Sequence, residues 1–272
     1  MNEVVTFGKQ LYSKMEETDV FGLAAQLAYF FLLSLFPFLL FVLTLVGYLP
    51  IGEISIIEFV GTYAPPQINE LINTNITQLV NERNGSLLSF SIIGTLWSAS
   101  NGVNAIMRGF NRAYEVDEDR SFITSRIIAI ILTVAMVVII LTAFLLPIFG
   151  KMIGVYLFSF IGMSDGFITV WQAMRWIVSS VVFFIVFLAL YKLAPNTRIY
   201  FKNAIWGAIF ATVFWQLTSL GFSYYVSSIG NYSATYGSLG TVIVLMIWFY
   251  LSGIILMMGG VINAVLRTEK LK

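Results

Sequence analysis

The chain has 272 residues, 58% of them hydrophobic and only 11% charged, and its 15 Lys and Arg stand against 14 Asp and Glu for a net charge of +1. Soluble domains carry about 25% charged residues, so this is the composition of a membrane protein, and its near-neutral balance gives no sign of nucleic-acid binding. Cysteine and histidine are both absent, which excludes disulfides and thiolate metal sites and removes the commonest general base; a hydrolase or nuclease reading is weakened, and no cofactor or metal is expected.

In the first twenty residues Val4, Phe7, Leu11 and Met15 recur at helical spacing among Lys9, Lys14, Glu16, Glu17 and Asp19. This pattern predicts an amphipathic helix lying at the membrane surface. A signal peptide is not expected, because acidic residues stand just before the apolar run and no small-residue cleavage site follows it. Six apolar runs follow, over about 23–49, 87–110, 127–149, 169–193, 204–226 and 239–266. Each is long enough to cross roughly 30 Å of hydrocarbon at about 1.5 Å per residue. The expected fold is therefore all-α: one integral membrane domain over 1–272, with six transmembrane helices, the N-terminal interfacial helix, and a short amphipathic helix in the first outer loop around Ile68 to Val80.

Several residues punctuate these runs. Pro37, three residues after Ser34, is expected to kink the first span. Ala194, Pro195 and Asn196 read as a stop and turn. Backbone irregularity is also expected in the connector that contains Tyr236 and Gly237.

Six spans alternate the connectors between the two sides. One side collects Lys9, Lys14, Arg108, Arg112, Arg120, Arg126, Lys192, Arg198, Lys202, Arg267, Lys270 and Lys272, which is 12 of the 15 basic residues; the other has Arg83 and Lys151, and Arg175 falls within a span. The positive-inside rule then puts both termini in the cytoplasm.

The second span is the most informative. At about 100° per residue Trp97, Asn101, Asn104, Arg108 and Asn111 share one strip, while Val103, Ile106, Met107 and Phe110 point elsewhere. Unpaired amides in lipid cost several kcal/mol, so the strip must face other helices or a wet cavity. Two readings stand: a pathway for a polar or anionic group, or interhelical hydrogen bonding at roughly 0.6–2 kcal/mol per contact. Arg175 has no acidic residue within any span to balance it, which favours an anionic ligand or a lipid headgroup over a carboxylate proton relay. Two smaller features read more simply. The acidic run Glu115, Asp117, Glu118 and Asp119 fits no calcium loop and reads as a solvated connector. Lys192, Pro195, Asn196 and Arg198 form a basic turn that could meet anionic lipid.

Four segments resemble the YihY or BrkB family of bacterial inner-membrane proteins, once labelled ribonuclease BN. They are AAQLAYFFLLSLFPFLL (Ala24 to Leu40), LWSASNGVNAIMRGFNRAY (Leu96 to Tyr114), LYKLAPNTRIYFKNAIWGA (Leu190 to Ala208) and YGSLGTVIVLMIWFYLSGIILMMGGVINA (Tyr236 to Ala264). The resemblance implies a six-span protein of the plasma membrane and brings no settled activity. Family members often carry a glutamate in the last span, where this chain reads GGVIN with Val261 at the matching position. Three classes of function compete on these grounds. They are a transporter-like protein with a polar cavity for an anionic small molecule or lipid, a structural or accessory membrane protein or homo-oligomer without transport activity, and a ribonuclease, which is disfavoured. Membrane lipids are the expected partners.

Overall fold

The computed structural model describes residues 2–46, 85–137, 165–228 and 238–269, and seven helices carry almost all of them, with no strand among the described residues. They are α1 (Asn2–Thr18), α2 (Val20–Val46), α3 (Gly85–Ala113), α4 (Phe122–Val137), α5 (Asp165–Leu193), α6 (Phe201–Ser228) and α7 (Ser238–Glu269). The amphipathic helix expected around Ile68 to Val80 lies outside the described residues, as do Tyr236 and Gly237.

Four of these helices hold stretches long and apolar enough to cross a membrane: Val20–Phe41, Trp176–Leu193, Phe201–Val226 and Val242–Arg267. Only 22% to 28% of each stretch is buried within the chain, so most of these apolar side chains need an apolar surrounding that the protein does not itself supply. The second expected span is a 29-residue helix, but its Ser, Thr and Asn residues leave it less apolar than those four. The third is described over the apolar helix Phe122–Val137.

Helix ends are set by local chemistry more than by hydropathy. α2 begins at Val20 rather than Leu23 because Asp19 is a cap: its Oδ1 accepts the Gly22 N–H at 3.2 Å and its carbonyl accepts the Leu23 N–H at 2.9 Å. α3 closes with the Glu115 N–H donating to the Arg112 carbonyl at 3.2 Å and the Val116 N–H to the Asn111 carbonyl at 2.9 Å, the paired bonds of a Schellman end.

The described chain falls into two compact units, Phe30–Ala99 and a larger one of Met1–Tyr29 with Ser100–Lys272. In the smaller unit α2 runs on through Pro37, and the buried hydroxyls are satisfied within their own helices. Thr44 donates to the Leu40 carbonyl, Ser91 to Leu88 and Thr95 to Ser91, at 2.7 to 2.9 Å.

In the larger unit α7 packs against α6, α5 and α1. Its Gly253 lies against the backbone of Ala24, Gly260 under the Phe110 ring, and Gly259 against the Tyr191 hydroxyl and the Gly207 carbonyl. Small residues let the backbones approach this closely where no hydrophobic effect drives helices together in lipid. Polar groups complete the seam. Asn263, fully buried, accepts the Gly207 N–H at 2.7 Å and donates to the Ala204 carbonyl at 3.2 Å, and the Tyr191 hydroxyl donates to the Leu256 carbonyl at 2.9 Å. Further along, Phe183, Trp215 and Trp248 stack edge to face across α5, α6 and α7, with ring centres 4.8 and 5.7 Å apart.

Candidate functional site

The polar strip of α3 reaches three different neighbours rather than one. Asn101 Oδ1 accepts from Arg126 Nη1 at 2.9 Å, tying α3 to α4. One turn on, Asn104 is half-buried and makes no hydrogen bond among the described residues. Arg108 is exposed and donates to Gln26 Oε1 of α2 at 3.2 Å. Trp97, on the same strip, is 61% exposed.

Asn111 is the buried member, and it joins the end of α3 to the turn between α5 and α6. Its Oδ1 accepts the Asn196 backbone N–H at 2.7 Å, and its Nδ2 donates to Glu118 Oε2 at 2.7 Å. Glu118 in turn holds Arg120 through Nε at 2.7 Å and Nη2 at 3.2 Å, and Arg120 Nη2 reaches the Ala194 carbonyl at 2.9 Å. The Asn196 side chain completes the knot, donating to the Asp117 carbonyl at 2.8 Å and to the Asp119 carboxylate. Pro195 is buried beneath it. The acidic run, expected as a solvated connector, is exposed at Glu115, Asp117, Glu118 and Asp119, and it also serves as a latch, in which the Asp117 carbonyl and the Asp119 carboxylate grip the Asn196 side chain of a second loop.

A second set of contacts fixes α1 to the same region. Lys14 bonds both Glu17, at 3.1 Å, and Glu115, and Arg112 Nη1 reaches the Thr18 carbonyl at 3.4 Å. Burial pulls the Lys14 ammonium down, but the two carboxylates outweigh it and hold it above the ordinary lysine range. Its bond lowers Glu17 in return. Nearby, the Arg267 guanidinium lies 5.7 Å from the centre of the Tyr114 ring. The Tyr114 hydroxyl is buried and without a hydrogen-bond partner among the described residues, so burial pushes it well above the usual phenol range while Arg267 opposes this.

The structure thus brings Asn111 together with Pro195 and Asn196, and separates Asn101 and Arg108 from them onto other neighbours. Arg175 lies in α5, with its side chain outside the described set. Ser34 and Pro37 lie in the smaller unit, where the Ser34 hydroxyl donates to the Phe31 carbonyl at 2.8 Å. Among the described residues no three acidic side chains are grouped so as to hold a metal ion. Gln26, Arg126, Tyr191 and Asn263 were not singled out from the sequence. Gln26 and Asn263 each left a visible sign, an amide inside a long apolar run.

This arrangement defines a class: a multi-pass, all-helical membrane protein whose polar residues knit helix ends and loops together. The chain belongs to the Virulence factor BrkB family, whose family model matches residues 11–272. It is 52% identical over 266 residues to the ribonuclease-like protein YfkH of Bacillus subtilis (strain 168), covering 98% of this chain and 97% of that one. It is also similar to UPF0761 membrane proteins. The one from Alteromonas mediterranea is 27% identical over 90% of this chain and 82% of its own, and that from Aggregatibacter aphrophilus is 24% identical over 100% and 96%. No solved structure matches.

Proposed function

We propose that this chain is a six-span, transporter-like protein of the bacterial plasma membrane, with both termini cytoplasmic, that handles an anionic or lipid-like substrate along the C-terminal half of α3. The observation that carries the reading is Arg108. Its guanidinium is exposed and held by the neutral carboxamide of Gln26, with no carboxylate partner among the described residues. A cation at the inner end of a span that protein carboxylates leave uncompensated attracts an anion. Asn104, one turn deeper and without a hydrogen bond among the described residues, extends the polar surface. Asn101 extends it further.

A structural or accessory role is the second reading, and Asn111 favours it, because both ends of its amide are spent on joining loops. An RNA-cleaving role, suggested only by the name of the Bacillus relative, lacks a histidine or cysteine for acid–base or nucleophilic work, and the carboxylates of Glu115, Glu118 and Asp119 are occupied by Lys14, Arg120 and two asparagines. We therefore read the chain as no enzyme.

The test is purified full-length protein in liposomes, with fluorescent phosphatidylglycerol or phosphatidylcholine followed by quenching from outside, and inorganic phosphate uptake measured alongside. The protein is expected to speed the crossing of one of the two anions, and Arg108→Gln to slow it about tenfold, the equivalent of ~1.4 kcal/mol. Rates equal to protein-free vesicles for both anions would leave the structural reading in its place. Metal-dependent cleavage of RNA by the same preparation would overturn both.

A further inference from the structure

The turn between α5 and α6 surrounds an open basin of about 630 Å³, lined by Lys192, Leu193, Asn196, Thr197, Arg198 and Tyr200 among others. Among the described residues no acidic side chain lines it. Its volume falls within the usual range of small-ligand pockets, so it can seat a headgroup rather than a single ion. We propose that this basin is a binding site for the phosphate headgroup of an anionic phospholipid in the adjacent leaflet.

Three observations support the assignment. The apolar stretch of α5 ends at Leu193 and that of α6 begins at Phe201, so residues 194–200 sit where two hydrocarbon-embedded helices emerge, which is the depth of lipid phosphates. The charge is of one sign. Lys192 and Arg198 line the basin and Lys202 is exposed just beyond it, and none of the three has an acidic partner among the described residues. The Lys192 ammonium is held 3.3 Å from the centre of the Phe201 ring, a contact that orients a cation without neutralising it. Asp119, the carboxylate that touches this turn, is spent on the Asn196 side-chain amide and does not line the basin.

The surroundings select a lipid over a dissolved phosphate. Leu193, Tyr200 and Phe201 are 48%, 70% and 57% exposed, and large apolar and aromatic side chains at a span end are suited to acyl chains and the interfacial belt. A soluble ester would meet the same cations but would leave these faces in water. Each cation near an anionic surface adds a comparable increment of attraction, so the site strengthens with each of its three.

The inference rests on the membrane embedding proposed above, and not on transport. Its test is lipid retention on the full-length chain, read by native mass spectrometry after delipidation and return of phosphatidylglycerol or phosphatidylcholine in equal amounts. Phosphatidylglycerol is expected to be retained preferentially, and the double variant Arg198→Gln with Lys202→Gln to lower its retention about tenfold or more. Lys9→Gln, which removes an exposed cation of α1, controls for loss of charge alone and is expected to change little. The proposal is overturned if the double variant retains as much as the unaltered chain, if Lys9→Gln causes an equal loss, or if glycerol phosphate displaces the lipid at millimolar concentration, which would reassign the basin to a soluble phosphate ester. Loss of retention in the double variant alongside inert liposomes would uphold this site while the transport reading fell.

Discussion

Asparagine does in this chain what a charged residue could not. Asn111 and Asn263 are 5% and 0% exposed, and each offers a donor and an acceptor at once without the desolvation cost of a full charge. Asn263 links α6 to α7 through the Gly207 N–H and the Ala204 carbonyl, two residues from Val261. That position is fully buried, so the valine packs hydrocarbon, and the polar bond between the helices is made by the neighbouring amide. Asn111 carries the more exposed consequence. Replacing it with alanine leaves the Asn196 N–H without its acceptor and removes one of the two donors to Glu118 Oε2, and an unmet buried group costs about 1–3 kcal/mol. Asn111→Ala is accordingly expected to lower the thermal unfolding midpoint of the detergent-purified protein and to speed protease cleavage within 114–121. An unchanged midpoint with an unchanged cleavage rate would mean that the latch is held by Arg120 and Asn196 alone.

Two helices end on residues in the left-handed region, Asp19 at φ 57° and Glu115 at φ 55°, where glycine is the usual occupant and another residue costs roughly 1–2 kcal/mol. Both side chains are used: Asp19 caps α2, and Glu115 bonds Lys14 of α1. The α1 latch therefore has a pH window. Glu17 is held below the ordinary glutamate range, so its contribution is present above about pH 4.3 and is lost as the pH falls through its lower folded value. Lys14 is held above the ordinary lysine range, so its contribution is present below about pH 10.4 and is lost as the pH rises through its higher folded value. Protection of the α1 amides, taken as their exchange relative to an unstructured peptide at the same pH, is expected to be greatest between those limits and to fall on both sides. Lys14→Gln should flatten the profile, and a variant that keeps the full dependence would show that other groups hold α1. The latch also marks where sequence reading ran out. Helical periodicity identified the strip of α3, and an apolar run bounded by Pro195 and Asn196 identified the turn. What joins them is a hydrogen bond between residues 85 positions apart, which leaves no periodic trace. The helical angle says which side chains share a face; it does not say that Asn101 meets α4, Arg108 meets α2 and Asn111 meets a loop.

On the scale of the whole molecule, hydrophobic residues such as Phe36, Phe90 and Ile93 are 70%, 72% and 66% exposed, a pattern that water would penalise at about 25 cal/mol per Å² and that acyl chains do not. This is why composition and run length made the helices legible before any contact was known: lipid leaves the backbone few alternatives to a helix. Orientation is a separate matter, decided by where the cations lie. Arg108, Arg112, Arg120 and Arg126 flank the α3–α4 loop, and Lys192, Arg198 and Lys202 flank the α5–α6 turn. The Asn111–Asn196 bond holds those two connectors together, so the proposed topology has to place them on one side of the membrane. With four of the basic residues on one connector and three on the other, that side is expected to be the cytoplasm. Single cysteines introduced at Ser121 and at Thr197, in a chain that has none of its own, give a direct reading. Both should resist a membrane-impermeant maleimide in intact cells and react once the membrane is opened, whereas a cysteine at Asn84, before α3, should react without opening it. Labelling of Ser121→Cys and Thr197→Cys from outside would invert the orientation and turn the basic basin to the outer leaflet; labelling of only one of them would break the latch.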